Sequence, residues 1–230
     1  MIDNLFVFDF DDTLAETVAL IGVARLIDNE NDNMFREWLL AHELYPMNEK
    51  TTDAGVKYFY LSSDDYAKYQ KAASSEITEK IVDVFDFSGT SSVDSGGTTP
   101  NEKVLQVLRQ ANAEPKSRVI IVTARATGEI NTPFGAANAT NRQDIADFLS
   151  GVGARVDSSR VFPVGSSDPA AKATIVRKYI NALSPKTVYF YDDNDLNLDA
   201  IHQLCDEMRG SPNIITYKIS DGVPSRDREC

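Results

Sequence analysis

Short apolar runs and longer helical patterns alternate along most of this chain. The apolar runs are rich in Val, Ile, Phe and Tyr, and they lie at residues 5–8, 118–122, 160–164, 187–191 and 213–218. Runs of this length and composition are typical of strands that are buried on both faces. Strands that alternate with helices predict an α/β fold, in which helices cover both sides of a parallel sheet.

Capping signals mark the predicted starts of the intervening helices. Thr99 and Thr140 each open a capping-box pattern, and a proline follows Thr99 at the first helical position. Asp168 precedes Pro169 and predicts the start of a third helix, which runs to about residue 182. The last helix is predicted from about Asp195, where apolar residues recur at helical spacing.

One long interval, residues 16–99, separates the first predicted strand from the helix before the second. A connection of that length usually forms a functional loop or a domain of its own. It contains helical patterns at 17–27, 33–43, 64–72 and 75–84, and it ends in a Gly/Ser/Thr-rich stretch at 88–99 that predicts a flexible linker. The prediction is therefore a mainly helical cap at 16–99, inserted into a core formed by 1–15 and 100–230.

Aromatic residues are concentrated in one stretch of the predicted cap, at positions 58–60, 66 and 69. These rings could stack on the base or sugar of a ligand. Packing in the core of a small domain is the favoured interpretation, because large aromatic side chains dominate such cores.

Composition and charge restrict the class of partner. The chain has 230 residues, of which 42% are hydrophobic, and its formal net charge is -12. A negative field repels nucleic-acid backbones, so nucleic acid is disfavoured as a partner without being excluded. No run approaches the about 18 consecutive apolar residues of a membrane span. The first residues lack the pattern of a secretory signal, so a cytoplasmic location is the default expectation.

Cysteine and histidine residues are few and widely spaced. Cys205 and Cys230 are too few for a disulfide scaffold and are equally compatible with reduced thiols. His42 and His202 are too isolated in the sequence to predict a metal site.

Polar side chains follow four of the predicted strands or begin the next helix. Because ligands bind beyond the carboxyl ends of the strands in an open parallel sheet, we expect these side chains to converge. The residues concerned are Asp9, Asp11, Thr123, Lys172, Asp192 and Asp193.

A group of carboxylates at one place requires a counter-charge. Hard oxygen ligands of this kind suit Mg²⁺, which leaves positions open for water and phosphate. Lys172 and Thr123 could then bind an incoming phosphoryl group. A carboxylate such as Asp9 can serve as the nucleophile in phosphoryl transfer, and one two residues on, Asp11, can act as general acid and base.

These residues also carry a resemblance to a known family. The pattern Asp9-x-Asp11-x-Thr13 after an apolar strand resembles the first motif of the haloacid dehalogenase (HAD) superfamily, which is Asp-x-Asp-x-Thr/Val. Residues 119–123 resemble its second motif, a hydrophobic strand that ends in Thr or Ser. Lys172 matches the third motif, and the acidic pair 192–193 matches the fourth. The motifs occur in the family's order and cover the core, whereas the cap matches only in position.

The resemblance implies a fold and a mechanism. The fold is a Rossmann-like core whose five-stranded parallel sheet has the order 5-4-1-2-3, with a cap inserted after strand 1. The mechanism is phosphate monoester hydrolysis in which Asp9 becomes an aspartyl phosphate. Asp11 protonates the leaving group and then activates water, while Thr123 and Lys172 bind the phosphoryl group.

The resemblance also implies the ligands of the metal ion. Mg²⁺ would be held by Asp9, by the backbone carbonyl of Asp11 and by Asp192, with Asp193 as a further ligand or as a neighbour of one. Because four acidic or amide residues follow one another at 192–195, more than one alignment of the acidic pair is open.

The segment after strand two bears on the substrate. Ala124 and Arg125 follow Thr123, and Arg125 either contacts the substrate or pairs with a carboxylate. The next stretch, 126–139, is rich in Gly, Ala and Asn and is predicted to be a surface loop near the site.

Three functions are compatible with the sequence. The favoured substrate is a small metabolite or a mononucleotide phosphate, because a sizeable cap restricts access, and transfer to an acceptor other than water stays open. Residues 123–125 faintly resemble end-healing phosphatases, so a polynucleotide end phosphatase is the enzymatic alternative. The third reading is a non-catalytic binding or structural protein that keeps the fold.

Overall fold

A computed structural model describes residues 2–74, 76, 78, 80–93, 97–208 and 212–230 of the chain. The strands are β1 (Asn4–Phe8), β2 (Ala15–Glu16), β3 (Leu20–Ile27), β4 (Glu30–Asn31), β5 (Asn48–Thr51), β6 (Lys57–Ser62), β7 (Ile81–Asp86), β8 (Thr99–Pro100), β9 (Ser117–Thr123), β10 (Gly128–Thr132), β11 (Gly135–Ala139), β12 (Val161–Pro163), β13 (Thr187–Asp192), β14 (Asn213–Ser220) and β15 (Val223–Glu229). The α-helices are α1 (Phe35–Ala41), α2 (Ser63–Ala73), α3 (Glu102–Ala113), α4 (Asn141–Gly151), α5 (Pro169–Leu183) and α6 (Asp195–Met208).

The chain forms two compact units. The first comprises residues 1–17, 93–127 and 140–230, and the second comprises 18–92 and 128–139. The first unit differs from the predicted core in two ways: it lacks 128–139, which the prediction placed in the core, and it includes 16–17 and 93–99, which the prediction placed in the cap.

A six-stranded sheet forms the centre of the first unit, in the order β12-β9-β1-β13-β14-β15. The first five strands of that order are parallel, and β15 pairs antiparallel with β14 at the edge. The α/β class is therefore confirmed. The edge strand β15 was not predicted, because its sequence is polar and most of its residues are exposed.

Helices cover both faces of this sheet, as the alternation of residues along β1 illustrates. Phe6 and Phe8 belong to a core cluster that includes side chains of α3 and α4. Leu5 and Val7 belong to a second cluster with side chains of α5 and α6. Because both faces of β1 are buried, its sequence is a continuous apolar run, as expected for a central parallel strand.

The second unit corrects the prediction of a mainly helical cap. Its described residues form an antiparallel sheet of five strands in which β3 pairs with β4, β6 and β7, and β6 pairs with β5. Two helices, α1 and α2, pack on one face of the sheet. The hairpin β10–β11 also belongs to this unit, in place of the surface loop predicted at 126–139.

The helix predicted at 17–27 is wrong, because most of that segment is strand β3. Ile21 and Val23 join the cluster beneath the two helices, whereas Ala24 joins a cluster on the opposite face. This alternation has the period of a strand, and cross-strand pairing on both sides decides the conformation of a short apolar run.

The helix predicted at 75–84 is also wrong where the structure describes it. Residues 81–84 belong to β7, which pairs antiparallel with β3. Residues 75, 77 and 79 of the predicted helix lie outside the described residues. In the stretch 88–99, which was predicted to be a linker, Ser88–Thr90 form a 3₁₀ turn, and residues 94–96 lie outside the described part of the chain.

The predictions of two capping boxes are wrong, although a helix follows each of the two segments. Thr99 lies in β8, which pairs with β2, and α3 begins only at Glu102. Asn101 precedes that helix and donates from its backbone N–H to the Leu14 carbonyl, at 2.9 Å. Thr140 does precede α4, but its hydroxyl donates to the carboxylate of Asp144, at 2.7 Å.

Two other predictions are confirmed. Asp168 caps α5 by accepting a hydrogen bond from the backbone N–H of Ala170, at 2.9 Å. The aromatic side chains of the cap pack in its core, as the favoured interpretation expected. These residues, all buried, are Tyr58, Phe59, Tyr60, Tyr66 and Tyr69.

Candidate active site

The candidate site lies at the carboxyl ends of three neighbouring strands. Asp9 directly follows β1, Thr123 ends β9 and Asp192 ends β13. The backbone N–H of Asp9 donates to the carbonyl of Tyr191, at 2.9 Å, and thereby holds Asp9 level with the end of β13. The convergence expected from the sequence is therefore present for these residues.

Lys172 joins the two strand ends through its ammonium group. It lies in the first turn of α5, and its Nζ is 2.8 Å from Asp9 Oδ1 and 3.0 Å from Asp192 Oδ2. Its residue surface is only 4% exposed. Burial alone would lower the pKa of Lys172, but the charges of Asp192 and Asp9 raise it above its usual range. Lys172 is therefore held as an ammonium ion beside the two carboxylates.

Asp192 is fully buried and has several hydrogen-bond donors. The side-chain amide of Asn197 donates to both of its oxygens, at 2.9 and 3.1 Å, and the backbone N–H of Asn194 donates at 2.9 Å. Sequence reasoning missed Asn197. Its position, one helical turn after the acidic pair and on the apolar face of α6, is the signal that could have identified it.

Three carboxylates lie close enough together to bind one metal ion. Oxygen atoms of Asp9, Asp192 and Asp193 all lie within 4.8 Å of one another. The Oδ1 atom of Asp9 is buried and forms no hydrogen bond of good geometry with a described residue. Its contact with Lys172 is an ion pair. This donor set fits a hard divalent cation such as Mg²⁺.

The electrostatics of two of these carboxylates, Asp9 and Asp193, also favour a bound cation. Burial raises the pKa of Asp9 well above its usual range, and the neighbouring carboxylates add to this, although Lys172 opposes it. Burial and then the charge of Asp192 raise the pKa of Asp193 to about 7. The hydroxyl of Thr13 donates to Asp193, at 3.3 Å. Without a further positive charge the cluster therefore tends to take up protons.

The side chain of Asp11 points away from this cluster and towards Arg125. The guanidinium of Arg125 contacts Asp11 through Nη2 at 2.7 Å and through Nε at 3.0 Å. The hydroxyls of Thr17 and Thr123 donate to Asp11 at 2.7 and 3.2 Å. Burial would raise the pKa of Asp11, but the charge and hydrogen bonds of Arg125, helped by Thr17, lower it. Asp11 is therefore ionised in this arrangement.

The chain makes a tight turn directly after Asp11. Asp12 adopts a left-handed backbone conformation with φ of 55°, which Asp tolerates better than most residues. The backbone N–H of Asp12 donates to Ala15, at 2.8 Å, and that of Leu14 donates to Phe10, at 3.0 Å. These bonds close a tight turn over residues 10–15.

Arg125 is buried and forms an ion pair with Asp11. Pairing with a carboxylate is one of the two roles that the sequence left open for this residue. Its Nη1 also donates to Asn141 Oδ1, at 3.2 Å. Asn141, whose side-chain amide donates to the Ala126 carbonyl at 2.9 Å, is a second residue that sequence reasoning missed. It is a fully buried polar residue at the start of α4, which no spacing in the sequence distinguishes. Ala124, by contrast, is exposed beside Thr123.

Lys218 is a further cation near the acidic segment. Its Nζ lies 2.8 Å from Asp195 Oδ1 and donates to the backbone carbonyl of Asp193. Asp195 therefore has an ion-pair partner at the start of α6, besides the favourable interaction of its charge with the helix dipole.

Comparisons of the chain with known protein families, with curated proteins and with solved structures found no match. None of the described helices is both long enough and apolar enough to cross a membrane. The function must therefore be argued from the residues of the site.

Proposed function

We propose that this protein is a Mg²⁺-dependent phosphate monoester hydrolase that forms an aspartyl phosphate on Asp9. One observation carries the proposal. Asp9 is a nearly buried carboxylate at the end of the central strand, 2.8 Å from Lys172 and grouped with the carboxylates of Asp192 and Asp193. A carboxylate that lies beside a fixed cation and within a divalent-cation donor set is suited to attack a phosphoryl group. The same residues carry the resemblance to the HAD superfamily.

In the first step, an oxygen of Asp9 attacks phosphorus, and the bond between phosphorus and the ester oxygen breaks. That oxygen takes a proton from Asp11 and leaves as an alcohol. The ammonium of Lys172 and the hydroxyl of Thr123 donate to the phosphoryl oxygens. Mg²⁺ bound by the three carboxylates would keep Asp9 ionised and neutralise the charge of the phosphate.

In the second step, Asp11 accepts a proton from water while that water attacks the phosphorus of the aspartyl phosphate. The bond between phosphorus and Asp9 breaks, inorganic phosphate leaves and the carboxylate of Asp9 is restored. The ion pair with Arg125 favours the ionised form of Asp11, which is the form that this second step requires.

The first step requires the opposite state of Asp11, because a general acid must carry a proton. A phosphorylated substrate offers Arg125 a second anion. If Arg125 shifts from Asp11 to the phosphoryl oxygens, the charge that keeps Asp11 ionised moves away, and Asp11 can take up a proton. Arg125 would then fill both roles that the sequence leaves open, pairing with Asp11 in the free protein and contacting the substrate when it is bound.

The preferred substrate class is a small metabolite or a mononucleotide phosphate. The net charge of -12 disfavours a polynucleotide, whose many phosphates would be repelled. Only a local positive charge is needed for a single phosphate, and Lys172, Arg125 and a bound divalent cation would supply it.

Phosphate release from a mixed panel tests the proposal. The panel contains p-nitrophenyl phosphate, mononucleotides, sugar phosphates and a 3′-phosphorylated oligonucleotide, each with Mg²⁺ or with EDTA. We expect release that requires Mg²⁺ and is lost in Asp9→Asn, while Asp147→Asn, which makes the same change at an exposed position on α4, stays active. Preference for the oligonucleotide would favour the end-phosphatase alternative. Absence of release with every substrate from folded, Mg²⁺-loaded protein would favour a non-catalytic binding protein.

A further inference from the structure

A second group of metal-ligating side chains lies in the first unit, separate from the carboxylate cluster. His202 and Cys205 are three residues apart on α6 and therefore lie on the same face of that helix. Cys230 follows β15. Ligand atoms of the three residues lie within 4.8 Å of one another, which corrects the expectation that His202 is too isolated to belong to a metal site.

The backbone fixes the position of Cys230 beside the helix. Its N–H donates to the Ile214 carbonyl at 3.0 Å, and its carbonyl accepts from the Ile214 N–H at 2.9 Å. The Cα atoms of Cys205 and Cys230 are 6.2 Å apart, and the two residues form a disulfide in the structure. Since β14 holds Cys230 by backbone bonds, reduction of the disulfide would leave both thiols close together.

The hydrogen bonds of His202 determine which ring nitrogen is free to bind a metal. The hydroxyl of Thr216 donates its single proton to Asp227 Oδ2, at 2.9 Å. The same hydroxyl oxygen, 2.8 Å from His202 Nε2, must therefore accept the Nε2–H proton. In this tautomer the lone pair of a neutral ring is on Nδ1, which lies 3.7 Å from the sulfur of Cys230.

This chain of hydrogen bonds is the kind that orients metal-ligating histidines. Such residues usually donate their other ring N–H to a carboxylate or another oxygen, which fixes the ring and its tautomer. Burial, and then the charge of Arg228, lower the pKa of His202, although Asp227 and Asp199 oppose this. A lowered pKa favours the neutral ring, which is the form that binds a metal.

The separation of Cys230 Sγ from His202 Nδ1 agrees with the geometry of a zinc site, whereas the two sulfurs, which are bonded to each other in the disulfide, must move apart on reduction. A tetrahedral Zn²⁺ ion with its usual bond lengths to sulfur and nitrogen places a sulfur and a nitrogen ligand about 3.6 Å apart and two sulfurs about 3.8 Å apart. The distance from Cys230 Sγ to His202 Nδ1 is 3.7 Å. Cys230 is exposed, so a fourth position would be open to water.

We propose that the reduced protein binds a thiophilic divalent cation, Zn²⁺ foremost, through His202 Nδ1 and the sulfur atoms of Cys205 and Cys230. A dithiol reductant first supplies two electrons and two protons to the disulfide, and the reductant is itself oxidised to a disulfide. Zn²⁺ then replaces the two thiol protons, which are released to solvent. Oxidation of the pair excludes the metal, so the site exists only in the reduced chain.

Cobalt spectroscopy tests this site apart from the candidate active site. Protein reduced with a phosphine is titrated with Co²⁺, whose bonds to thiolate give a charge-transfer absorption that carboxylate ligands do not. We expect this absorption to saturate at one equivalent of Co²⁺, to disappear when Zn²⁺ is added and to be absent from unreduced protein. The Asp9→Asn/Asp192→Asn variant should retain it, so failure of this proposal and failure of the proposed function are distinguishable.

Variants identify the ligands. Cys205→Ser and Cys230→Ser should lose stoichiometric binding, and His202→Gln should weaken it, whereas the matched change His42→Gln should have no effect. Thr216→Val keeps all three ligands but removes the hydroxyl that accepts from Nε2–H and donates to Asp227, so a loss of affinity of about 10-fold or more is expected. If a cysteine variant does not fold, the Thr216→Val variant still tests the proposal. Reduced, folded wild-type protein without thiolate absorption, or absorption that survives in Cys205→Ser, would overturn the proposal.

Discussion

The charge of Lys172 is shared between two buried carboxylates. Its ammonium contacts Asp9 and Asp192, and all three side chains are almost completely shielded from water. Removing one partner of a buried ion pair leaves an uncompensated charge, which costs more than the pair itself contributes. The stability of the site and, under the proposed function, the binding of the phosphoryl group therefore depend on the same residue.

Lys172→Met is expected to lower the free energy of unfolding by about 3 kcal/mol and to abolish phosphate release. Methionine has a similar length but no charge, so Asp9 and Asp192 lose their counter-ion. Urea unfolding at neutral pH in EDTA measures the effect. Lys178→Met is the matched control, because Lys178 is exposed on the same helix. Equal stability of the two variants would show that Lys172 is not a buried counter-ion.

At the level of single residues, the sequence predicted the strand-end side chains but not the partners that hold them. Asp9, Thr123 and Asp192 follow apolar runs, so the topology of a parallel sheet alone brings them together. Asn197 and Asn141 act through contacts with Asp192 and Arg125. The place of Asn197 on the apolar face of α6 is a signal in the sequence, whereas no spacing distinguishes Asn141 from an exposed asparagine. The cluster of His202 with Cys205 and Cys230 was missed for a related reason, since it requires β15 to lie beside β14.

At the level of elements, the helix with a confirmed side-chain cap, α5, was predicted well, whereas short apolar runs were ambiguous. The prediction of α5 depended on Asp168 before a proline, and the side chain of Asp168 does cap the helix. Residues 20–27 could be read with a helical or a strand period, and pairing with distant strands decided between them. Pairing of Thr99 and Pro100 with β2 likewise removed the predicted capping box.

Gly22→Ala distinguishes the observed strand from the predicted helix by the sign of its effect. In a helix interior the change would stabilise the protein by about 1 kcal/mol. In β3, a Cβ atom at this position would lie 3.0 Å from Asp86 Cβ and 3.1 Å from the ring of Tyr60. We therefore expect the free energy of unfolding to fall by about 1–3 kcal/mol.

Chemical denaturation with a probe in the second unit, such as the fluorescence of Trp38, measures this change. Gly151→Ala in α4 is the control, because a Cβ atom there meets nothing within 4 Å. An increase in stability for Gly22→Ala would contradict the strand assignment of β3.

At the level of the whole molecule, the net charge and the covalent link between α6 and the end of β15 act on the entire chain. The charge of -12 makes local positive groups necessary wherever an anion binds. The disulfide connects residues that are 25 positions apart and restricts the unfolded chain. The sequence left the state of the two cysteines open, because pairing depends on the position of β15.

Reduction of this disulfide in the presence of EDTA is expected to lower the free energy of unfolding by about 3 kcal/mol. The effect follows from the larger conformational entropy of the reduced unfolded chain. Thermal unfolding with and without a phosphine reductant measures it, and EDTA prevents stabilisation by bound metal. The Cys205→Ser/Cys230→Ser variant should be insensitive to the reductant. Identical unfolding of oxidised and reduced wild-type protein would contradict the expectation.

A covalent phosphoryl group on Asp9 is the central feature of the proposed function, and trapping it is the most direct test. Protein is mixed with Mg²⁺ and the best substrate of the panel, quenched in acid and treated with borohydride, which converts an aspartyl phosphate to homoserine. Peptide mass spectrometry should then find homoserine in place of Asp9, and neither EDTA-treated protein nor Asp9→Asn should yield it. Phosphate release without any modification of Asp9, or modification of another carboxylate, would contradict the proposed function of Asp9.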